Sequence, residues 1–178
     1  MIHLVGVGEV PLGVLDALSA RLTRELRESC HVRTALLDPE FAFDPVRKQY
    51  HSTRILQRLA EEANGWRLLG VASVDLYVPI FTFVFGEAQL TGHAALTSTH
   101  RLRQEFYGLP PDGGLMEERL LKESLHELGH TYGLRHCHNW SCAMAASTAI
   151  DRPDLKDAAF CQKCSKTVLA EPPPHSRK

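Results

Sequence analysis

The sequence predicts an α+β fold from three observations. Short apolar runs of strand type alternate with helical patterns through the first hundred residues. One long helix with an apolar stripe occupies residues 115–134, and an irregular, cysteine-bearing segment follows it. A length of 178 residues fits one domain, and 44% hydrophobic content supplies enough apolar material for a core.

The elements follow in order. Ile2–Val7, mostly apolar, reads as a first strand. Pro11 stands where helices begin, and Val14, Leu15, Leu18, Leu22 and Leu26 then recur at helical spacing. Residues 32–37 form a second strand, and residues 38–45 a loop with two prolines. A helix is expected over 46–63, with Ile55, Leu56 and Leu59 inward and Asn64-Gly65 as its stop. Residues 68–76 and 81–85 carry strand propensity, the second run halting at Gly86, and 94–99 make a further strand. FYGLPPDGG then breaks all regular structure. In the long helix Leu121, Leu125, Leu128 and Tyr132 form the stripe, and Gly133 lies near its end. The tail EPPPHSRK is a loose end.

A net charge of -1 gives no general pull toward phosphate backbones, so nucleic acid is not expected as a partner. No run approaches the roughly eighteen apolar residues that span a bilayer. The opening MIHLVGVGEV lacks a basic leader, so a cytoplasmic location and no membrane partner are expected. Thiols stay reduced in that compartment, which makes the five cysteines metal ligands or bystanders before disulfides.

Residues 126–144 read HELGHTYGLRHCHNWSCAM. His126 and His130 are four apart, so on a helix both imidazoles lie on one face, one turn apart, in reach of a single zinc. Glu127 projects to the side, where a general base belongs. Gly133 permits the chain to turn back, and His136 can then approach from outside the helix as a third ligand. The full HExxHxxGxxH pattern would arise by chance in a chain this long on the order of once in 10,000 sequences or more rarely. Three histidines leave a coordination position open for water, which suits catalysis better than bracing. Ordinary hydrogen-bonded histidines, or a bracing metal closed by Cys137, remain the alternatives. His138 falls outside the pattern and reads as solvated.

Cys137 and Cys142 form one close pair, and Cys161 and Cys164 a CxxC. Two such pairs are what a four-thiolate structural zinc needs. No thioredoxin-like order of elements surrounds the CxxC, which disfavours a redox role. Cys30 stands apart as a small hydrophobe. Met144, eight residues after His136, is by itself unremarkable core filler.

HELGHTYGLRHCHNWSCAM followed by CQKC resembles the archaemetzincins, with weaker likeness through QYHSTRIL, DLYVP, FVFG and THRL. The resemblance implies a compact metzincin-like (zincin) fold, a twisted mixed sheet over an active-site helix, with a zinc-braced C-terminal segment. It implies two zinc ions: His126, His130 and His136 would hold the catalytic one. Cys137, Cys142, Cys161 and Cys164 would hold the structural one. Glu127 would be the general base and Met144 the methionine-turn residue. A single domain is expected over residues 1–170, with sheet and active-site helix in 1–136 and the methionine turn and cysteine site in 137–170. Residues 171–178 would form a flexible tail.

The function expected is zinc-dependent hydrolysis of peptides or proteins by a monomer, aminopeptidase-like on small peptides. Zinc lowers the pKa of a water toward roughly 7 and polarises the scissile carbonyl, while Glu127 moves the proton. The strand at 94–98 would hold an extended peptide if it lies at the sheet edge. Arg101 and Arg103 read as a solvated face. No tyrosine follows Met144 to steady an oxyanion, and Tyr132 is expected to point elsewhere. The rival is a zinc-stabilised peptide- or protein-binding module, which would have no need of Glu127.

Overall fold

The computed structural model describes residues 1–170; the expected tail at 171–178 lies outside the described residues. In chain order the elements are β1 (Ile2–Val7), α1 (Leu12–Leu26), β2 (Cys30–Leu37), β3 (Phe43–Asp44), β4 (Gln49–His51), α2 (Ser52–Glu62), β5 (Arg67–Ala72), β6 (Leu76–Tyr77), β7 (Gly86–Ala88), β8 (Ala94–Ser98), α3 (Gly113–Thr131), α4 (Asp151–Leu155) and α5 (Gln162–Ala170). The main sheet runs β2-β1-β5-β8-β7, and β3-β4-β6 form a small second sheet. β2, β1, β5 and β8 are mutually parallel, and β7 closes the edge antiparallel to β8.

Parallel strands covered on both faces read as continuous apolar runs, which is why β1 and β5 show almost no polar alternation. Their residues divide by parity. Ile2, Leu4, Leu69 and Val71 face α1 and α3, whereas Val5, Val7, Leu68 and Ala72 face α2. α3 is capped by Asp112, whose side chain accepts from Leu115 N at 2.9 Å, and it stops where Gly133 takes φ +86°. Among the described residues no helix is long and apolar enough to cross a membrane.

Several expectations need correction. The helix expected from 46 starts at Ser52 instead. Asp44 accepts from the N–H groups of Val46 and Arg47, and Lys48 takes a left-handed φ of 54°, so the chain forms a tight hairpin between β3 and β4. That Asx turn competes with the helix for the same backbone. The strand expected at 81–85 is absent; only Val84 makes an isolated bridge, to Leu76, and the strand begins where it was to end, at Gly86. The carbonyls of Phe81 and Thr82 accept from Arg47 and Gln49 side chains rather than from a neighbouring strand. Aromatic residues there line a cleft, a role that strand propensity does not separate from a pleated, half-buried surface.

The strand at 94–98 is interior; the edge belongs to β7. Arg101 is no solvated face, because it grips Asp75 with two bonds of 2.7 and 2.8 Å between the rings of Phe83 and Phe106. The C-terminal segment, read as irregular, contains α4 and α5, the latter burying Cys164 and Val168 four residues apart.

Candidate metal centres and cleft

Helix α3 carries His126, Glu127 and His130, and the turn at Gly133 returns the chain so that His136 faces them. One candidate donor from each of His126, His130 and His136 lies within 4.8 Å of the other two. Each helical imidazole has its Nδ1 tied to a backbone carbonyl, His126 to Ala143 O at 2.9 Å and His130 to Leu134 O at 2.8 Å. A carbonyl only accepts, so Nδ1 carries the hydrogen in both rings and Nε2 is left as a lone-pair donor. The two Nε2 atoms stand 3.2 Å apart. Ligands of a tetrahedral zinc with bonds of 2.0–2.1 Å would be separated by about 3.4 Å, so this donor set fits the ion. Burial holds both helical histidines below the usual imidazole range, His126 strongly, and Lys156 lowers both further. Neutral imidazoles are the ligating form.

The four cysteines form a second cluster, separate from the histidines. Cys137 Sγ lies 3.9 Å from Cys161 Sγ, against about 3.8 Å between thiolates at 2.3 Å from a tetrahedral zinc. Cys137 therefore falls with the thiols and not with the imidazoles. The Cys161 thiol, approached by the Cys164 backbone N–H at the start of α5, is brought down to about 7, while burial pushes Cys142 and Cys164 up. Cys30 is half-buried outside both clusters, and burial raises its thiol to about 11. His138 is exposed, and Tyr132 points away, its hydroxyl donating to Glu28 under the guanidinium of Arg67.

Met144 is fully buried beneath α3, where a Cβ on Gly129 would collide with its sulfur. That contact explains the glycine inside HELGH. The Met144 carbonyl accepts from Cys137 N at 2.9 Å, so the segment around Met144 is joined to the chain leaving His136.

A cleft of about 570 Å³ opens over the histidines. Phe81, Phe83, Phe85 and Leu90 give it an apolar wall; Glu123, Ser147 and Arg135 contribute polar groups. Gly86 matters at its base, because a Cβ there would lie 2.5 Å from Leu96 O and 2.7 Å from Glu127 Cγ. Gly86→Ala is therefore expected to strain the β7–β8 pairing, displace the Glu127 side chain and lower the melting temperature, checked by calorimetry. In the sequence Gly86 marks only a strand stop, and Glu123 and Lys156 carry no local signal of a place at the site.

Glu127 is buried in this wall. Burial first, then the Glu123 and Glu87 carboxylates, holds its own carboxyl well above the ordinary range, although Lys156 opposes the shift. A carboxyl raised in the folded state favours folding below its unfolded pKa and loses that contribution as pH rises through the folded value. With metal at the cysteines alone, Glu127→Gln should thus be more stable than wild type at pH 7, and the difference should vanish below the pKa of an unfolded carboxyl. Thermal unfolding of both proteins across that range measures it.

Residues 39–169 match Peptidase family M54. The chain is an archaemetzincin of that family. The archaemetzincin of Methanocaldococcus jannaschii is 42% identical over 162 residues, which cover 91% of this chain and 89% of that protein. A solved zinc-dependent peptidase from Methanocorpusculum labreanum aligns with a TM-score of 0.87 at 33% identity, over 94% of this chain and all of that one. The archaemetzincin of Archaeoglobus fulgidus, solved with malonate, aligns at 0.81 and 32% identity, over 94% and 99%. The likeness extends beyond the motif to the whole α+β zincin architecture. Membership makes the chain a zinc metallopeptidase at the level of its family.

Proposed function

We propose that this archaemetzincin hydrolyses peptide bonds at the three-histidine site, with Glu127 as general base and a second, structural zinc at Cys137, Cys142, Cys161 and Cys164. The observation that carries the reading is the pair of Nε2 atoms 3.2 Å apart, their Nδ1 atoms secured by carbonyls, at the floor of a cleft that also admits Glu127. When bound, zinc supplies Lewis acidity toward a water and toward the scissile carbonyl. Glu127 accepts the proton of the attacking water at its carboxylate and returns it to the leaving amine. Gly86, Glu87 and Ala88 border the cleft on the edge strand, so an extended peptide can pair with β7 and place an apolar side chain against Phe81, Phe83 and Leu90. Met144, packed under Gly129, supports the floor.

Aminopeptidase-like action on small peptides is the finer reading that family likeness suggests. An α-ammonium there would have to compete for Glu123, which already takes Lys156 and Ser147, or for Glu87, which takes Ser52 and Thr53. Paired peptides with free and acetylated N-termini test it: loss of cleavage on acetylation supports the reading, and equal cleavage removes it. For the reaction itself, two zincs per folded chain and zinc-dependent cleavage within a broad peptide library are expected. A fully loaded protein inert across that library would overturn the proposal.

A further inference from the structure

Lys156 sits in the RPDLKD stretch, 26 residues after the last helical histidine, and only 3% of it is exposed. Its ammonium meets three acceptors: Ala143 O at 3.1 Å, Ala145 O at 3.2 Å and Glu123 Oε1 at 2.8 Å. Three donors and three acceptors satisfy the group completely, as a buried charge requires. Glu123, also buried, accepts a further bond from Ser147 Oγ at 2.8 Å. The two carbonyls flank Met144, so one ammonium closes the turn from both sides. The surrounding chain is paired onto the same segment, through Asp157 N to Ser141 O at 2.7 Å and Ala143 N to Ala159 O at 2.9 Å.

Ala143 O is the acceptor that His126 Nδ1 also uses, at 2.9 Å. One carbonyl oxygen thus receives both the imidazole and the ammonium. We propose that Lys156 is a positioning residue of the three-histidine site, fixing through Ala143 O the ring orientation and tautomer in which His126 presents Nε2. Lys156 does not line the cleft, so it touches no substrate. The partner of a ligating histidine's second nitrogen commonly alters metal affinity by 10–100-fold, and here that partner is itself held by a charge-assisted bond. Glu123 has a different part: it compensates the buried ammonium and ties it to α3. The proposal rests on the reading that the histidines hold zinc.

Removing Lys156 alone strands a buried carboxylate, so the informative protein is the double variant Lys156→Met with Glu123→Gln, which leaves no unpaired buried charge. Zinc affinity of the histidine site is measured by chelator competition with the cysteine site loaded, at a temperature where circular dichroism shows each protein folded. The cobalt(II) visible spectrum of the same site is recorded alongside. Relative to Glu123→Gln alone, which retains both carbonyl contacts, a further weakening of roughly 10-fold or more with an altered cobalt spectrum is expected for the double variant. A double variant whose affinity and spectrum match those of Glu123→Gln alone overturns the proposal. A wild type that takes up no second zinc overturns instead the reading of the histidine site, so the two failures are distinct.

Discussion

Glu127→Gln is expected to keep both zinc ions and lose peptide cleavage by about 10²–10⁴-fold in kcat. Glutamine preserves the shape that Gly86 accommodates but has no basic oxygen for the water's proton. The three imidazoles and their carbonyl partners on Ala143 and Leu134 do not involve Glu127, so metal content should be unchanged. Metal analysis beside single-turnover kinetics separates the two effects. Cleavage retained within a few-fold would assign the base to another group, and zinc lost with activity would make Glu127 structural.

Cys161→Ser is expected to have an effect of comparable size on the fold itself. A structural zinc contributes apparent binding free energies of about 10–16 kcal/mol in small zinc domains, as large as the whole stability of an ordinary domain. Here the loss should also spread to the histidines. Cys137 is bonded in sequence to His136, and Cys142 to Ala143, whose carbonyl holds His126. Loosening the four sulfurs therefore frees one histidine directly and removes the anchor of another. We expect a much lower melting temperature and less than one zinc per chain, measured by calorimetry and metal analysis. A variant that keeps one tightly held zinc at the histidines and cuts peptides normally would show the two centres to be independent.

Particular residues show why some of this was legible before folding. His126, Glu127 and His130 share one helix, where 3.6 residues per turn fixes their relation, and Gly133 marks the turn that brings back His136. The paired spacings of the cysteines are equally local, and so is the helical spacing of apolar residues in α1 and α3. One misreading occurred where distant groups decide conformation. Residues 81–85 have the composition of a strand, yet Arg47 and Gln49, more than thirty residues upstream, take their carbonyls and leave the aromatic rings in the cleft. The stretch from 46 to 51 differs for a local reason instead: the Asp44 side chain, two and three residues from the N–H groups it accepts, turns the chain into a hairpin.

Short-range order along the chain thus carried the chemistry: ligand types, their spacing, and a helix to display them. Which strand borders the cleft, why Gly86 must lack a side chain, and how Lys156 comes to share an oxygen with His126 depended on segments far apart in sequence. A periodic pattern records the environment of one element against a generic partner, and it holds no information about which partner arrives. Packing supplies that choice, because only in the assembled layers do a lysine from 156, a carbonyl from 143 and an imidazole from 126 come within bonding distance.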